Sequence, residues 1–269
     1  MRKGLTGVVL CLGIFCSTMV LASPVNLPEG IKGTEGTGWG KALSSWGEVS
    51  DDMALSVAYV YDHVSERKLN KLSGKANFDS MDGKITVTWK NWLDFYTTLG
   101  GIQKFEVKGN VLASGDKLNF DDSFIWGLGV SAIIYKSEKL GVQFFADGNY
   151  RQTVDMDLNS GVLNGTSFSK SDIPTGLSVT GKWQEWQTAL GVSKKFQYFI
   201  PYAGVKYSDI KATGKVSASG NSVSYSLSSK NKVGPFVGIS ITPFKALSID
   251  ITGRFVDETA VSAAATIRF

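Results

Sequence analysis

Histidine and cysteine are almost missing from this 269-residue chain: there is one histidine, His63, and there are two cysteines. Both cysteines, Cys11 and Cys16, lie in the opening stretch MRKGLTGVVLCLGIFCSTMVLASP. That stretch starts with the bases Arg2 and Lys3 and runs apolar from Leu5 to Leu21. Val20 and Ala22 are the small residues that a signal peptidase reads. Residues 1–22 are therefore expected to be a cleaved secretory signal. The mature chain then holds no cysteine, which excludes disulfides, thiol catalysis and cysteine metal sites.

Long apolar runs are also lacking beyond the signal. The longest, FIWGLGVSAIIY (124–135), contains two glycines and a serine, against the roughly 20 apolar residues a membrane-spanning helix needs. A spanning strand needs only about 9–11 residues and stays open. Charge is nearly balanced, 28 Lys and Arg against 24 Asp and Glu, with two of the bases in the signal. No clustered basic surface calls for nucleic acid. Phosphate-loop, zinc-protease, serine-hydrolase and EF-hand motifs are all missing. No cofactor and no metal is expected.

What the chain does have is alternation. Apolar residues recur at every second position over 53–62, 82–90, 92–103, 123–135, 139–151, 181–193, 198–211, 231–242, 246–256 and the terminal 259–269. Tight turns such as KSEK and KKFQ follow the even-numbered segments. Long polar segments follow the first, third, fifth and seventh. Short turns at one end and long loops at the other are the habit of outer-membrane barrels.

Period two does not say which way the apolar face looks, because a soluble barrel or sandwich shows the same pattern. Aromatic placement decides it. Trp89, Trp92, Tyr135, Phe196, Tyr198, Phe244 and Phe269 fall at the short-turn ends. Tyr59, Tyr61, Phe124, Trp126, Tyr150, Trp183, Trp186, Tyr207 and Phe255 fall at the long-loop ends, with aliphatic residues between. Two aromatic girdles around an aliphatic band fit a bilayer. The sequence thus predicts an all-β chain: a transmembrane antiparallel up-and-down β-barrel of about ten strands over 51–269, with twelve as the alternative. It would sit in the bacterial cell outer membrane among its lipids. The final strand, ending on Phe269, would be the signal for the barrel assembly machinery. Residues 23–50, Gly-rich with two tryptophans, form either a periplasmic segment or a plug in the lumen.

The inward face then carries Asp94, Asp147, Glu185 and Asp250 against Arg151, Lys206, Arg254 and Arg268. These eight are the candidate pore-lining residues. Read blandly, they are charges pairing across a narrow barrel. Ten strands lie close to the eight whose interior is simply filled by side chains. Small residues on the eighth and tenth strands, Gly234, Gly238, Ser240, Ala260, Ser262 and Ala264, leave room for water. His63 beside Asp62 is the one pair resembling catalytic machinery. It lacks a recognisable nucleophile and orienting group, so it reads as a solvated rim and the protein as no enzyme.

Several strands are similar in wording to the chlamydial major outer membrane porin family. They are WKNWLDFYTTLGGIQKFEVKGN (89–110), FIWGLGVSAIIYKSEKLGVQFFADGNY (124–150) and WQEWQTALGVSKKFQYFIPYAGVKYS (183–208), with the terminal RFVDETAVSAAATIRF (254–269) alike in style. The resemblance implies a porin that passes small solutes and ions, is a homotrimer and supports the envelope. That family is rich in disulfides, so its cross-linking role does not carry over. It also has more strands, which points to hairpins hidden in 104–120 and 215–229. The alternatives are a structural barrel with a plugged lumen and, remotely, a rim-site hydrolase.

Overall fold

A computed structural model describes residues 24–32, 52–70, 74–109, 115–218, 221–244 and 246–269. The signal reading of 1–22, and most of the segment leading to residue 50, lie outside the described residues. Among these described residues, one helical turn, α1 (Glu29–Lys32), precedes fourteen strands. These are β1 (Met53–Lys68), β2 (Lys75–Trp89), β3 (Leu93–Gly109), β4 (Asp116–Phe120), β5 (Ser123–Ser137), β6 (Val142–Thr153) and β7 (Met156–Leu163). They continue as β8 (Thr166–Ser169), β9 (Leu177–Lys194), β10 (Phe199–Ala218), β11 (Asn221–Ser228), β12 (Val233–Phe244), β13 (Leu247–Arg254) and β14 (Glu258–Arg268).

Ten of them close a ring in the order β1, β2, β3, β5, β6, β9, β10, β12, β13, β14, every pairing antiparallel. The last strand returns to the first from Ser56↔Arg268 to Arg67↔Glu258. The Phe269 amide donates to the Leu55 carbonyl at 2.9 Å. A ring without an edge leaves no strand backbone unpaired in lipid. Its outer face is apolar: Val57, Ile85, Leu99, Leu128, Val130, Leu190, Val205, Val237, Ile251 and Val261 are all exposed. Its inner face is polar, with Asp62, Lys84, Asp94, Arg151, Glu185, Lys206 and Arg254 buried. This polarity is the reverse of a soluble core.

Above the ring, the wall changes strand number. At Lys104, whose φ of 52° marks a bulge, β3 leaves β5 and takes β4 as its partner. From there β4 pairs β7, and β7 meets β9 at Met156↔Gly181. On the other side β10 pairs β11. The end of β11 bridges back to the end of β1 at Leu69↔Ser229. These eight strands, β1, β2, β3, β4, β7, β9, β10 and β11, enclose a narrower turret. The hairpins expected within 104–120 and 215–229 are present. They build the turret and leave the membrane ring at ten.

In the turret the polarity turns over. Val64, Phe78, Ile102, Phe105, Met156, Trp183 and Ile210 are buried together inside it, with Phe120 and Leu227 packed against them. Phe78 and Phe105 each meet the Trp183 ring at 5.4 Å. Trp183 is therefore corrected from a girdle residue to a core residue. The girdles otherwise stand: Trp89, Trp92, Tyr135, Phe196, Tyr198 and Phe244 are exposed at the short-turn end, and Tyr59, Phe124, Tyr207 and Phe255 at the other.

The outward face gives a direct test. Ile251→Arg, at mid-depth on β13, should cost roughly 2–4 kcal/mol of folding into lipid vesicles, while Ile251→Leu should cost little. Equal unfolding midpoints for the two variants would contradict the lipid-facing assignment.

Candidate functional site

A barrel acts through its lumen or its rim, and the lumen here contains three layers. Uppermost is the apolar turret core. Beneath it lies a connected layer of ions. Arg151 reaches Asp62 at 3.3 Å and Glu185 at 3.2 Å. Arg254 takes the other Asp62 oxygen at 2.6 Å and Glu258 at 2.7 Å. Lys206 lies 2.6 Å from Asp257, and Arg67 lies 2.9 Å from Asp257 and 3.3 Å from Glu258. Trp183 donates its indole N–H to Glu185 at 3.2 Å, tying this layer to the core above. The ions span the barrel from β6 and β9 to β1, β10, β13, the β13–β14 turn and the start of β14.

The lowest layer is the chain's own N-terminal segment. Residues 24–32 run inside the short-turn end of the ring. Val25, Leu27 and Ile31 pack on Phe145, Ile200, Tyr202 and Phe236. Polar contacts fix the segment in place. The Glu29 amide donates to Asp94 at 2.7 Å, and the Asn26 side chain donates to the Tyr96 hydroxyl at 2.8 Å. Lys32 is bound by Glu29 at 2.9 Å and Asp250 at 2.8 Å. Arg268 donates to the Glu29 carbonyl at 3.3 Å and to Asn91 at 2.7 Å. Lys84 donates to Asn26 at 2.9 Å. Gly30 passes so close to the β2–β3 turn that a Cβ there would collide with the Asn91 carbonyl. Of the two places open to this segment, its first part takes the lumen.

All eight candidate pore-lining residues thus face inward, and the structure sorts them into two sets. Arg151, Glu185, Lys206 and Arg254 belong to the ion layer. Asp94, Asp250 and Arg268 hold the plug. Asp147 accepts from Tyr96 at 2.7 Å, from Asn149 at 3.0 Å and from the Asn26 backbone of the plug itself. Further inward charges were not among the candidates: Asp62, Arg67, Asp82, Lys84, Asp257 and Glu258. Strict parity carried along β1 and β2 marks Asp62, Asp82 and Lys84. Arg67 lies beyond a register shift between Val64 and Glu66, and Asp257 sits in a turn, so neither follows from alternation.

The two inward glycines face occupied space, while Ser262 and Ala264 line what room remains. A Cβ on Gly238 would run into the Tyr202 ring, and one on Gly234 into Asp257. Beside the plug, a cavity of about 20 Å³ remains between Lys84, Lys32, Asp250 and Thr252, room for about one water.

Asp62 and His63 do not form a pair. Adjacent strand residues point to opposite faces, so Asp62 enters the ion layer while His63 stands outside. The imidazole Nδ1 lies 2.6 Å from Asp79, which Lys104 also binds at 3.0 Å. Among the described residues no group of three or more His, Cys, Asp or Glu could hold a metal ion.

A closed ring, apolar outside, polar inside and belted by aromatics, has one suitable solvent. The barrel belongs in the outer membrane. No family model matches the sequence, and no curated protein matches it. Among solved structures the chain is similar to the outer membrane protease OmpT from Escherichia coli, at 8% identity and a TM-score of 0.39, covering 81% of this chain and 93% of that one. It is also similar to the outer membrane protein OprG from Pseudomonas aeruginosa, at 12% identity and a TM-score of 0.40, covering 81% and 96%. The translocator domain of the autotransporter NalP from Neisseria meningitidis gives 11% and 0.43, covering 85% and 92%. At such values the likeness is one of general shape. The membrane assignment rests on the polarity of the wall itself.

The ion layer predicts an asymmetry between charges. Asp62→Ala removes the carboxylate that two buried guanidinium groups share, leaving Arg151 to Glu185 and Arg254 to Glu258, and should cost about 3–5 kcal/mol. Lys170→Ala, which removes the exposed pair with Asp121, should cost about 1 kcal/mol or less. Urea unfolding in vesicles measures both, and comparable losses would contradict the layer's role.

Proposed function

We propose that this protein works as a closed, structural outer-membrane barrel that holds a narrow turret above the bilayer. The observation carrying this reading is the burial of the lumen charges: Arg151 is 2% exposed, and Glu185, Lys206 and Arg254 are 1% exposed. A water-filled path would leave such side chains wet. Two seals lie in series, the ion layer with its apolar cap and the N-terminal plug. No chemistry is assigned to His63, whose neighbours Asp79 and Lys104 form an ion-paired cluster with it, and the barrel is read as no enzyme.

Passive diffusion of small solutes and ions, the porin function, is the second reading. The hydroxyls of Ser56, Thr86, Ser248 and Thr266, buried on the inner wall with no protein hydrogen-bond partner among the described residues, favour it, as does the resemblance of several strands to the chlamydial porins. Withdrawal of residues 24–32 would leave a wet vestibule at that end. Insertion through the barrel assembly machinery, with Phe269 as the terminal signal, belongs to the same proposal. So does a homotrimer, for which the resemblance is the support.

Planar-bilayer recording separates the readings. The full mature chain and a variant lacking residues 24–32 should both be silent, because the upper seal does not depend on the plug. Stepwise current from the shortened chain alone would favour the plug-gated porin. Steady current from the full chain would overturn the closed barrel.

A further inference from the structure

Where β3 leaves β5 for β4, the outer wall of the turret contains a hollow of about 750 Å³, well within the range of ligand pockets. Asn77, Glu106, Asn119, Asp122 and Asn159 line it, over a back wall of Phe105 and Phe120. It lies just past the Ile102↔Ser123 pair that ends the β3–β5 ladder, on the long-loop side of the girdle residue Phe124.

The lining selects a ligand class. Its charges are largely matched within the protein. Glu106 binds Lys108 at 2.8 Å, also pairs with Lys117, and accepts from Asn77 at 2.9 Å. Asp121 is held by Lys170 at 2.7 Å, and that hydrogen bond raises the Lys170 ammonium above its ordinary range. Lys104 is committed to Asp79. A phosphate or other anion would meet the Asp122 carboxylate, and the nearby lysines already face carboxylates, Lys104 that of Asp79, Lys108 and Lys117 that of Glu106, and Lys170 that of Asp121. An apolar ligand would meet three amides. What remains for a ligand is the Asn77 and Asn119 carbonyl oxygens, the Asn159 amide, the Asp122 carboxylate and the edge of Phe120. Flat groups that donate and accept side by side match neighbouring hydroxyls, and an aromatic edge matches a C–H face.

We propose that this hollow binds a neutral oligosaccharide. Its source is either the sugar of an outer-leaflet glycolipid or a free glycan at the cell surface, and the chemistry is shared.

The full mature chain, folded in detergent free of lipopolysaccharide, tests this by calorimetric titration with maltotriose, with chitobiose and with deacylated lipopolysaccharide core oligosaccharide. At least one should bind with a dissociation constant on the order of 0.1–1 mM. Asn159→Ala and Asp122→Ala should each weaken it about tenfold, the worth of one good hydrogen bond. Asn221→Ala, on the far β11 strand, should leave it unchanged. Binding of the core oligosaccharide alone assigns the glycolipid source, and binding of a free sugar assigns the second; either upholds the site. No binding of any probe up to about 10 mM, or equal binding by all three variants, overturns it.

Discussion

Everything in this molecule follows from closing ten antiparallel strands without an edge. In lipid the backbone admits no alternative, and β14 meets β1 through a long register to achieve it. Closure at ten, however, encloses more space than the eight-stranded ring that side chains alone fill. The surplus must be water, long side chains or another piece of chain. Here the last two take most of it. Arginine, lysine and glutamate side chains cross the middle, and residues 24–32 occupy the short-turn end. The turret meets the same requirement differently: with eight strands it closes on an apolar core led by Trp183, Phe78 and Phe105.

The two solutions differ in what they contribute energetically. Burying aromatics in the turret gains transfer free energy directly, on the order of 25 cal/mol per Å². The ion layer gains far less net, because desolvating each charge costs nearly what pairing returns. Its connectivity still matters. Asp62 alone bridges Arg151 on β6 and Arg254 on β13, so one carboxylate ties strands on opposite sides of the ring. A shift by one residue in either register would aim a buried guanidinium into lipid. The layer thus penalises wrong registers more than it stabilises the right one.

Much of this was legible in the sequence, and the limits have physical causes. Alternation located all ten ring strands and the inward parity of Arg151, Glu185 and Arg254, because each ring strand crosses one slab of lipid with one face in it. Aromatic placement misled where strands outrun the bilayer. Trp183 follows the same parity as Glu185 and stands where a girdle aromatic is expected. Above the membrane the outer face meets water, so the apolar side chain turns inward. Bulges hide residues from parity, as the shift before Glu66 hides Arg67. Asp257 escaped because a turn carries no period. The plug was open from sequence because nine residues with one helical turn have no pattern of their own; only partners such as Asp94, Tyr96 and Asp250, brought together by the ring, define their place.

The change from ten strands to eight also explains the hollow on the outer wall. A wall of constant strand number presents a continuous hydrogen-bonded surface. At the transition β3 must exchange β5 for β4, and the bulge at Lys104 turns it. For a few residues neither partner lies alongside, so the surface recedes between Glu106 on one side and Asp121 and Asp122 on the other. The back of that recess is the outer side of the turret core, which is why Phe105 and Phe120 are reached there. Its rim is the first polar turn above the aromatic girdle, which is why amides line it. A concave, aromatic-backed, amide-rimmed surface on the long-loop side of the girdle is therefore a geometric consequence of joining a lipid-facing ring to a water-facing one.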